Sequence, residues 1–482
     1  MVKKEYPDEA QRGIFMSTNR IKLTFFDDYW VDYRPGTTRR WFAPECYSRV
    51  PSTLGYGSMF YDPAVGKYKL YYETLRDMAN DDDRVLKLLE SDDLRTFTQV
   101  LADDGSDVIV DYNGHVHGAA VLYDPKDPDP ARRYKRFGMY GIENGGKGWM
   151  CPAFSADGIH WQDCPDIVMQ KPFSDAGNYL FYNPCYDDYT AVLRSAWCDR
   201  RIALRTSPDC EHWSEPRTVL HPAGQYNNEA THMEHYSMAA RWFDGIFYAV
   251  LWRFTSDIRR LPGMKPNCGD VSEPELVYSY DGREFLQTTG KPLMERPLAP
   301  MPGWAGLAPV DICESADGQY YYLLCIGYSF IHGSPESNKR LHQLQQERGI
   351  SSGHLIYRIR KDSFCGLESV AEGGMVYSGL LELLDDDLSF NVRADCGSVR
   401  FGICGGRGIF LDGFSLDDCI PFEYSSGTEI VPRWKEHSLK EILGRRVRIV
   451  VELNGAILHS ISATARPHIL QRQKSFNDPQ GL

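Results

Sequence analysis

A short turn motif occurs four times in this chain of 482 residues. Each copy contains a Ser, an Asp two residues later and an aromatic residue four residues after the Asp, as in Ser155, Asp157 and Trp161. The other three copies begin at Ser91, Ser207 and Ser279. An Asp placed in this way can accept hydrogen bonds from the backbone N–H groups of its own turn, so the motif predicts a tight turn after a strand. The copies are 52 to 72 residues apart, which is too far for a solenoid repeat and suits sheets of four strands.

Paired strand signals precede every copy of the motif. The segment 58–72 contains an apolar strand, a turn at Asp62-Pro63 and a second β-rich strand. Similar hairpins occupy residues 119–140, 179–194, 237–252 and 308–324. Five hairpins in units of roughly 60 residues predict a five-bladed β-propeller. The fifth unit lacks the motif, and we expect a strand near Asp27 to complete it.

The composition of the chain changes near residue 370. Short strands without the turn motif follow, separated by polar turns, and this pattern predicts an antiparallel β-sandwich. We therefore predict an all-β protein, with a five-bladed β-propeller followed by a C-terminal antiparallel β-sandwich. The predicted divisions are an N-terminal segment contributing to propeller closure (1–50), the propeller (51–370), the sandwich (371–465) and a loosely held tail (466–482).

Charge and cysteine usage narrow the classes of partner. The net charge is −13 and no long run of Lys or Arg occurs, which argues against a nucleic-acid ligand. No apolar segment has the length of a membrane span. The 13 cysteines show no C-x-x-C spacing, and no signal sequence is visible at the N-terminus, so we expect reduced thiols and a cytoplasmic location. A removed signal peptide would change that location, and a homo-oligomer remains open.

Candidate catalytic residues follow from the fold, because the first strand of each blade lines the central channel. Glu234 precedes an apolar strand and is flanked by His232 and His235, a costly cluster to place on a channel wall without a purpose. Glu234 is the first candidate for a catalytic carboxylate. Asp311, at the start of an apolar strand, is the second. A further carboxylate is expected before the first blade, and the candidates are Asp27, Asp28 and Glu45.

Other polar and aromatic side chains are candidates for contacting a substrate. They are His115, His117, His232, Trp252, Arg194 and His332. A metal could in principle be bound by His232, Glu234, His235 and His332, but strand alternation directs His235 away from His232 and Glu234. We therefore predict no metal site and no cofactor.

The hairpin followed by Ser-x-Asp and an aromatic residue resembles the repeat of the five-bladed propeller glycoside hydrolases, the superfamily of fructosidases and arabinanases in families 32 and 43. The motif is also similar to the Asp-box of sialidases, with one residue fewer before the aromatic. The segments 25–30 and 412–419 resemble bacterial proteins related to family 32. In that superfamily the acid Glu precedes a strand that ends in a Gly-Tyr-Tyr-like hairpin. Glu234 matches this position, because a similar hairpin follows it at residues 244–248. The nucleophile or base Asp lies at the start of the first blade, where residues 54–60 hold no carboxylate, so Asp27, Asp28 or Glu45 is implied as a substitute.

The resemblance implies a glycoside hydrolase that uses two carboxylates in the propeller funnel and takes a carbohydrate or glycoside as substrate. Two alternatives remain open. One is a carbohydrate-binding propeller without catalysis, and the other is a glycosyl-transferring or anhydro-sugar-forming enzyme on the same scaffold.

Overall fold

The fold was analysed in a computed structural model. It describes residues 19–52, 55–76, 84–111, 120–140, 148–175, 177–195, 200–220, 231–257, 271–329, 343, 347, 352–371 and 373–468. Most of the regular structure in these residues is β-strand. None of the described helices is both long enough and apolar enough to cross a membrane.

The N-terminal segment supplies four strands. They are β1 (Arg20–Thr24), β2 (Val31–Tyr33), β3 (Thr37–Trp41) and β4 (Glu45–Arg49). The first blade follows, with β5 (Gly57–Asp62), β6 (Lys67–Leu75), β7 (Arg84–Ser91), β8 (Thr98–Gln99) and a short extra strand β9 (Val110–Asp111).

Blades two, three and four are regular antiparallel sheets of four strands. Blade two contains β10 (Val121–Tyr123), β11 (Tyr134–Tyr140), β12 (Trp149–Ser155) and β13 (Gln162–Asp163). Blade three contains β14 (Tyr179–Asn183), β15 (Asp188–Leu193), β16 (Ile202–Ser207) and β17 (Arg217–Leu220). Blade four contains β18 (Thr231–Trp242), β19 (Phe247–Asp257), β20 (Val271–Ser279) and β21 (Leu286–Gln287).

Blade five closes the ring with a strand from the N-terminal segment. Its own strands are β22 (Gly306–Glu314), β23 (Tyr320–Tyr328) and β24 (Gly353–Arg360), and β24 pairs with β4. The expectation that a strand near Asp27 would complete this blade is wrong, because β1 and β2 on either side of Asp27 pair with strands of the C-terminal unit. β4 lies next to β5 in the sequence, so a short connection is enough to join blade five to blade one.

The C-terminal unit has its own sheet and core. Its strands are β25 (Cys365–Ser369), β26 (Gly374–Ser378), β27 (Leu381–Leu383), β28 (Ser389–Gly405), β29 (Phe422–Ile430), β30 (Arg446–Asn454) and β31 (Ile457–Pro467). With β1, β2 and β3 they form a ten-stranded sheet. The first part of β28 pairs with β31 and its last part pairs with β30, so this long strand changes its partner along its length. The predicted all-β class and the five-bladed propeller are confirmed.

The four copies of the Ser-x-Asp motif form the turns between the third and fourth strands of blades one to four. In blade two, Asp157 Oδ1 accepts hydrogen bonds from the N–H groups of Ile159 at 2.8 Å and His160 at 2.9 Å. Gly158 has a φ of +79°, and a Cβ there would lie 2.1 Å from the Tyr71 hydroxyl of blade one. The motif is therefore a turn that fits closely against the preceding blade.

Each motif turn is fastened to the blade before it in the same way. The backbone carbonyl of the motif Asp accepts a hydrogen bond from a side chain of that blade. The pairs are Tyr47 with Asp93, Lys69 with Asp157, Arg132 with Asp209 and Asn183 with Asp281. The motif thus joins blades at the rim and leaves the other end of each blade for a site.

Candidate active site at the channel entrance

The first strands of the five blades form a closed ring. β5 contacts β10 and β22, β14 contacts β10 and β18, and β18 contacts β22. A small cavity in this ring is lined by Tyr56 and Gly57, the segment 177–179, the segment 237–239, and Pro309 and Val310. Residues next to these segments therefore meet at one end of the channel although they are far apart in sequence.

Glu234 lies near the start of β18, next to this cavity. Its carboxylate contacts the guanidinium of Arg200, and 13% of its side chain is exposed. The Arg200 guanidinium packs over the rings of Tyr236, at 5.1 Å from the centroid, and Phe254, at 4.6 Å. The predicted residue is thus held in a defined position at the channel entrance.

Asp175 forms a second carboxylate–arginine pair beside the first. It precedes β14, and its Oδ2 lies 3.1 Å from Nη1 of Arg194, the residue that follows β15. The Arg194 guanidinium packs over the Tyr236 ring, at 4.5 Å from its centroid. Because Arg194 and Arg200 both contact Tyr236, the two ion pairs belong to one site.

A third pair, between Glu73 on β6 and Arg84 on β7, borders the same site. Glu73 Oε1 lies 2.7 Å from Arg84 Nη1, and the Glu73 side chain is completely buried. Burial raises the pKa of the Tyr328 hydroxyl, and the nearby Tyr236 and Glu73 raise it further. Burial likewise raises the pKa of Tyr56, with added contributions from Tyr236, Tyr328 and Asp175. The backbone N–H of Glu73 donates to the Tyr56 carbonyl at 2.8 Å, so this pair lies beside the same group of tyrosines.

Trp252 forms the base of this aromatic group. Its ring stacks on Tyr236, with 4.3 Å between the centroids, and approaches Tyr56 and Tyr328 at 6.2 and 6.1 Å. Trp252 is only 1% exposed, so the outer tyrosines cover it. The predicted contact residues Arg194 and Trp252 therefore both lie at the channel entrance.

Asp311 lies deeper and holds the blades together. It accepts hydrogen bonds from the Tyr179 hydroxyl, from the Met59 N–H at 2.7 Å, and from Nη2 of Arg241 at 2.8 Å. Asp311 also accepts hydrogen bonds from Nε of Arg241 and from the backbone N–H of Ile312. Five donors from blades one, three, four and five use all the acceptor positions of a carboxylate. This saturated, fully buried group joins four blades, and its predicted catalytic role stays a prediction.

The structure does not bring Asp28 or Glu45 to Glu234. Asp28 pairs with Arg34 and Arg39, and its neighbour Asp27 accepts a hydrogen bond from Tyr278. Glu234 is opposite Phe254 on β19, and Phe254 is opposite Ser272 on β20, so Ser272 lies level with Glu234. Tyr278 is six residues farther along β20, and at about 3.3 Å per residue this separation is roughly 20 Å.

Glu45 lies on β4, the outermost strand of blade five, and pairs with Arg358 at 2.5 Å. The outermost strand is the one farthest from the channel in a four-stranded blade. The resemblance suggested both residues because blade one lacks an initial carboxylate, but each is committed to an ion pair elsewhere.

The remaining predicted contacts are the histidines. His115, His117 and His332 lie outside the described residues, as does the side chain of His232. His235 is fully buried, whereas the adjacent Glu234 is partly exposed, as strand alternation requires. Among the residues that the structure describes, no group of three or more His, Cys, Asp or Glu side chains could hold a metal ion.

Sequence reasoning missed Asp175, Arg200 and Glu73. The signal for Asp175 was present, because it precedes the first strand of blade three by a few residues, as Glu234 precedes the apolar part of β18. Arg200 and Glu73 carried no such signal. They lie away from the starts of first strands, and only the assembled ring brings them to the entrance.

Comparisons with known proteins give distant structural matches. No protein-family model matches the chain, and no curated protein matches it in sequence. It is similar to a Bombyx mori family 32 β-fructofuranosidase, with 11% identity, a TM-score of 0.39, and coverage of 92% of this chain and 95% of the enzyme. An exo-β-1,3-galactanase from Clostridium thermocellum gives 12% identity, a TM-score of 0.40, and coverage of 75% and 73%.

A third match is an N-acetylgalactosamine deacetylase from F. plautii, solved in complex with blood group B trisaccharide. Its identity is 12% and its TM-score is 0.45, over 68% of this chain and 97% of that one. The matched structures include glycoside hydrolases. The five blades themselves are established by the strand pairing of this chain.

Proposed function

We propose that the protein is a glycoside hydrolase whose two carboxylates are Glu234 and Asp175, with Glu234 as the proton donor. The observation that supports this proposal is the position of these residues. They belong to adjacent blades, both are partly exposed, and their arginine partners stack on one tyrosine ring. Hydrolysis of a glycosidic bond requires two such groups, one to protonate the leaving oxygen and one to act as nucleophile or to activate water.

The arginine partners set a condition on this chemistry. The Arg200 guanidinium contacts the Glu234 carboxylate, and the Arg194 guanidinium contacts the Asp175 carboxylate. A proton donor needs a carboxyl oxygen within hydrogen-bond reach of the leaving oxygen of the substrate. In the proposed reaction the Arg200 guanidinium therefore moves away from Glu234 when the substrate enters, and Asp175 keeps its contact with Arg194.

A screen with aryl glycosides and oligosaccharides tests the proposal. The wild-type protein, Glu234→Gln and Asp175→Asn are compared on each sugar that the wild type cleaves. We expect each substitution to reduce kcat/KM by at least about 100-fold, because general acid–base groups contribute that much or more. Glu45→Gln serves as a matched control, since it also changes a carboxylate paired with arginine but lies on the outermost strand of blade five.

Hydrolysis that survives Glu234→Gln unchanged would remove Glu234 as the acid. A wild-type protein that binds sugars without cleaving any of them would instead favour the carbohydrate-binding alternative.

A further inference from the structure

Four buried polar atoms beside Glu234 and Asp175 have no hydrogen-bond partner among the described residues. They are Nε and Nη2 of Arg194, Nε1 of Trp252 and Oδ1 of Asn178. Buried polar atoms are nearly always paired in native proteins, since an unpaired one is costly. A cluster of such atoms beside a channel cavity is a reason to look for a ligand that completes it.

The four atoms belong to one wall of the site. The Arg194 N–H donates to Ser174 Oγ at 3.1 Å, and the Asn178 amide donates to the carbonyl of the same serine at 3.4 Å. Asn178 also lines the channel cavity. Arg194 and Trp252 contact the Tyr236 ring, at 4.5 and 4.3 Å between the guanidinium carbon or ring centroid and the tyrosine centroid.

The unpaired atoms of Arg194 are the two that bind an oxyanion best. Asp175 holds Nη1, so Nε and Nη2 on one edge of the guanidinium remain. Their N–H groups are parallel and match the two oxygens of a carboxylate or phosphate, whereas one sugar hydroxyl offers a single oxygen. The Arg194 residue is 2% exposed, and a charge-assisted bond made away from water is strong.

We propose that the site binds an oxyanion together with the sugar, and that Nε and Nη2 of Arg194 hold this oxyanion. The amide oxygen of Asn178, which lines the channel cavity, accepts a hydrogen bond from a neighbouring hydroxyl. This inference rests on the proposed function, because it names the substrate class of the same site. The oxyanion is a carboxylate or a phosphate, and it belongs either to the sugar or to a free phosphate ion bound beside it.

Binding to the full-length Glu234→Gln variant tests the inference without requiring turnover. Titration calorimetry compares galacturonic acid with galactose, glucuronic acid with glucose, and glucose 6-phosphate with glucose. Inorganic phosphate is titrated alone and with each neutral sugar. We expect at least one acid to bind about tenfold more tightly than its neutral partner, as a charge-assisted pair provides. Tighter binding of a neutral sugar only when phosphate is present would assign the oxyanion to free phosphate.

Substitution of Arg194 identifies the group responsible. In the Glu234→Gln background, Arg194→Met should remove the preference for the acid over its neutral partner. Arg194→Lys keeps the charge but loses the fork, and an intermediate preference is expected. Arg358→Met is the control, since it removes an arginine that pairs with a carboxylate on the outer strands of blade five.

The inference is overturned if no acid binds more tightly than its neutral partner and if phosphate does not strengthen the binding of any neutral sugar, a result that needs no Arg194 variant. It is also overturned if a folded Arg194→Met protein keeps the preference. The proposed function fails separately, if acidic sugars bind with the expected preference but the wild-type protein cleaves no glycoside.

Discussion

Individual buried residues connect distant parts of this chain, and His354 is an example. Its Nε2–H donates to the carbonyl of Gly55 at 2.8 Å, and its Nδ1 accepts a hydrogen bond from the Ser52 hydroxyl at 2.7 Å. Burial lowers the pKa of His354 to about 4 from an ordinary value of 6.5. The ring therefore stays neutral in the folded protein at pH values where the unfolded chain binds a proton.

This difference predicts a loss of stability in mild acid. Since the folded pKa is the lower one, the stabilisation is complete above about pH 6.5 and declines as the pH falls towards 4, by roughly 3 kcal/mol in total. Urea unfolding at a series of pH values measures it. His354→Gln, which keeps hydrogen-bonding groups but does not titrate, should show a shallower decline between pH 6.5 and 4. An equally steep decline in this variant would contradict the assignment.

At the scale of single elements, the Ser-x-Asp turns are local structures that repeat a set of contacts. The copies at Leu94 and Cys210 have positive φ values of 58° and 63°, similar to 79° at Gly158. The turn is therefore set by the Asp and Ser hydrogen bonds and does not require glycine at this position. Such a turn depends on nearby residues only, which is why the sequence pattern predicts it well.

Removing the Asp side chain from one motif turn should destabilise the propeller. Asp157 accepts hydrogen bonds from two backbone N–H groups, from the Ser155 hydroxyl and from the His160 ring. We expect Asp157→Ala to lower the free energy of unfolding by about 1–2 kcal/mol, because two backbone donors lose their partner. Asp103→Ala is the control, since Asp103 contacts the His160 ring at 3.0 Å in an exposed position and should have little effect. Equal effects of the two changes would contradict the role of the turn.

At the scale of the whole molecule, the propeller and the C-terminal unit share a buried ion pair. Lys22 on β1 lies 3.0 Å from Asp362, which follows β24, and both side chains are buried. Asp362 also accepts hydrogen bonds from Tyr248 of blade four, Tyr321 of blade five and Ser460 of β31. Burial alone would raise the pKa of Asp362, but Lys22, the Tyr321 hydroxyl and Lys361 lower it below its ordinary value.

Breaking the Lys22–Asp362 pair should lower the stability of the whole protein. Lys22→Met leaves a buried carboxylate without its cation, and we expect the free energy of unfolding to fall by about 3–5 kcal/mol. Glu368→Gln is a suitable control, because the Glu368–Arg40 pair joins two strands of the C-terminal sheet but is largely exposed. Chemical denaturation of the two variants compares them. If the free energy of unfolding falls no more in Lys22→Met than in Glu368→Gln, the Lys22–Asp362 pair does not hold the propeller and the C-terminal unit together.

The sequence predicts the repeated part of this architecture and less of its closure and its site. Blade number follows from local hairpins and turns. The same pattern places Glu234 on an inner strand, β18, and its role stays a prediction. The pairing of β4 with β24 and of β1 with β31 joins opposite ends of the chain, and no local pattern encodes it. Asp28 and Glu45 were chosen for their place in the sequence, but their arginine partners hold them elsewhere. The partner of Glu234 is Arg200, whose location depends on the packing of blade three against blade four.

The most direct test of the account is the dependence of Glu234→Gln on the leaving group. On a sugar that the wild type cleaves, kcat/KM is measured for an activated dinitrophenyl glycoside and for an alkyl glycoside. An alkoxide needs protonation as it leaves, whereas a dinitrophenolate does not, so the account predicts a loss at least about 100-fold greater for the alkyl glycoside. Asp175→Asn should reduce both rates to a similar extent. Equal losses on the two substrates in Glu234→Gln would contradict the assignment of Glu234 as the proton donor.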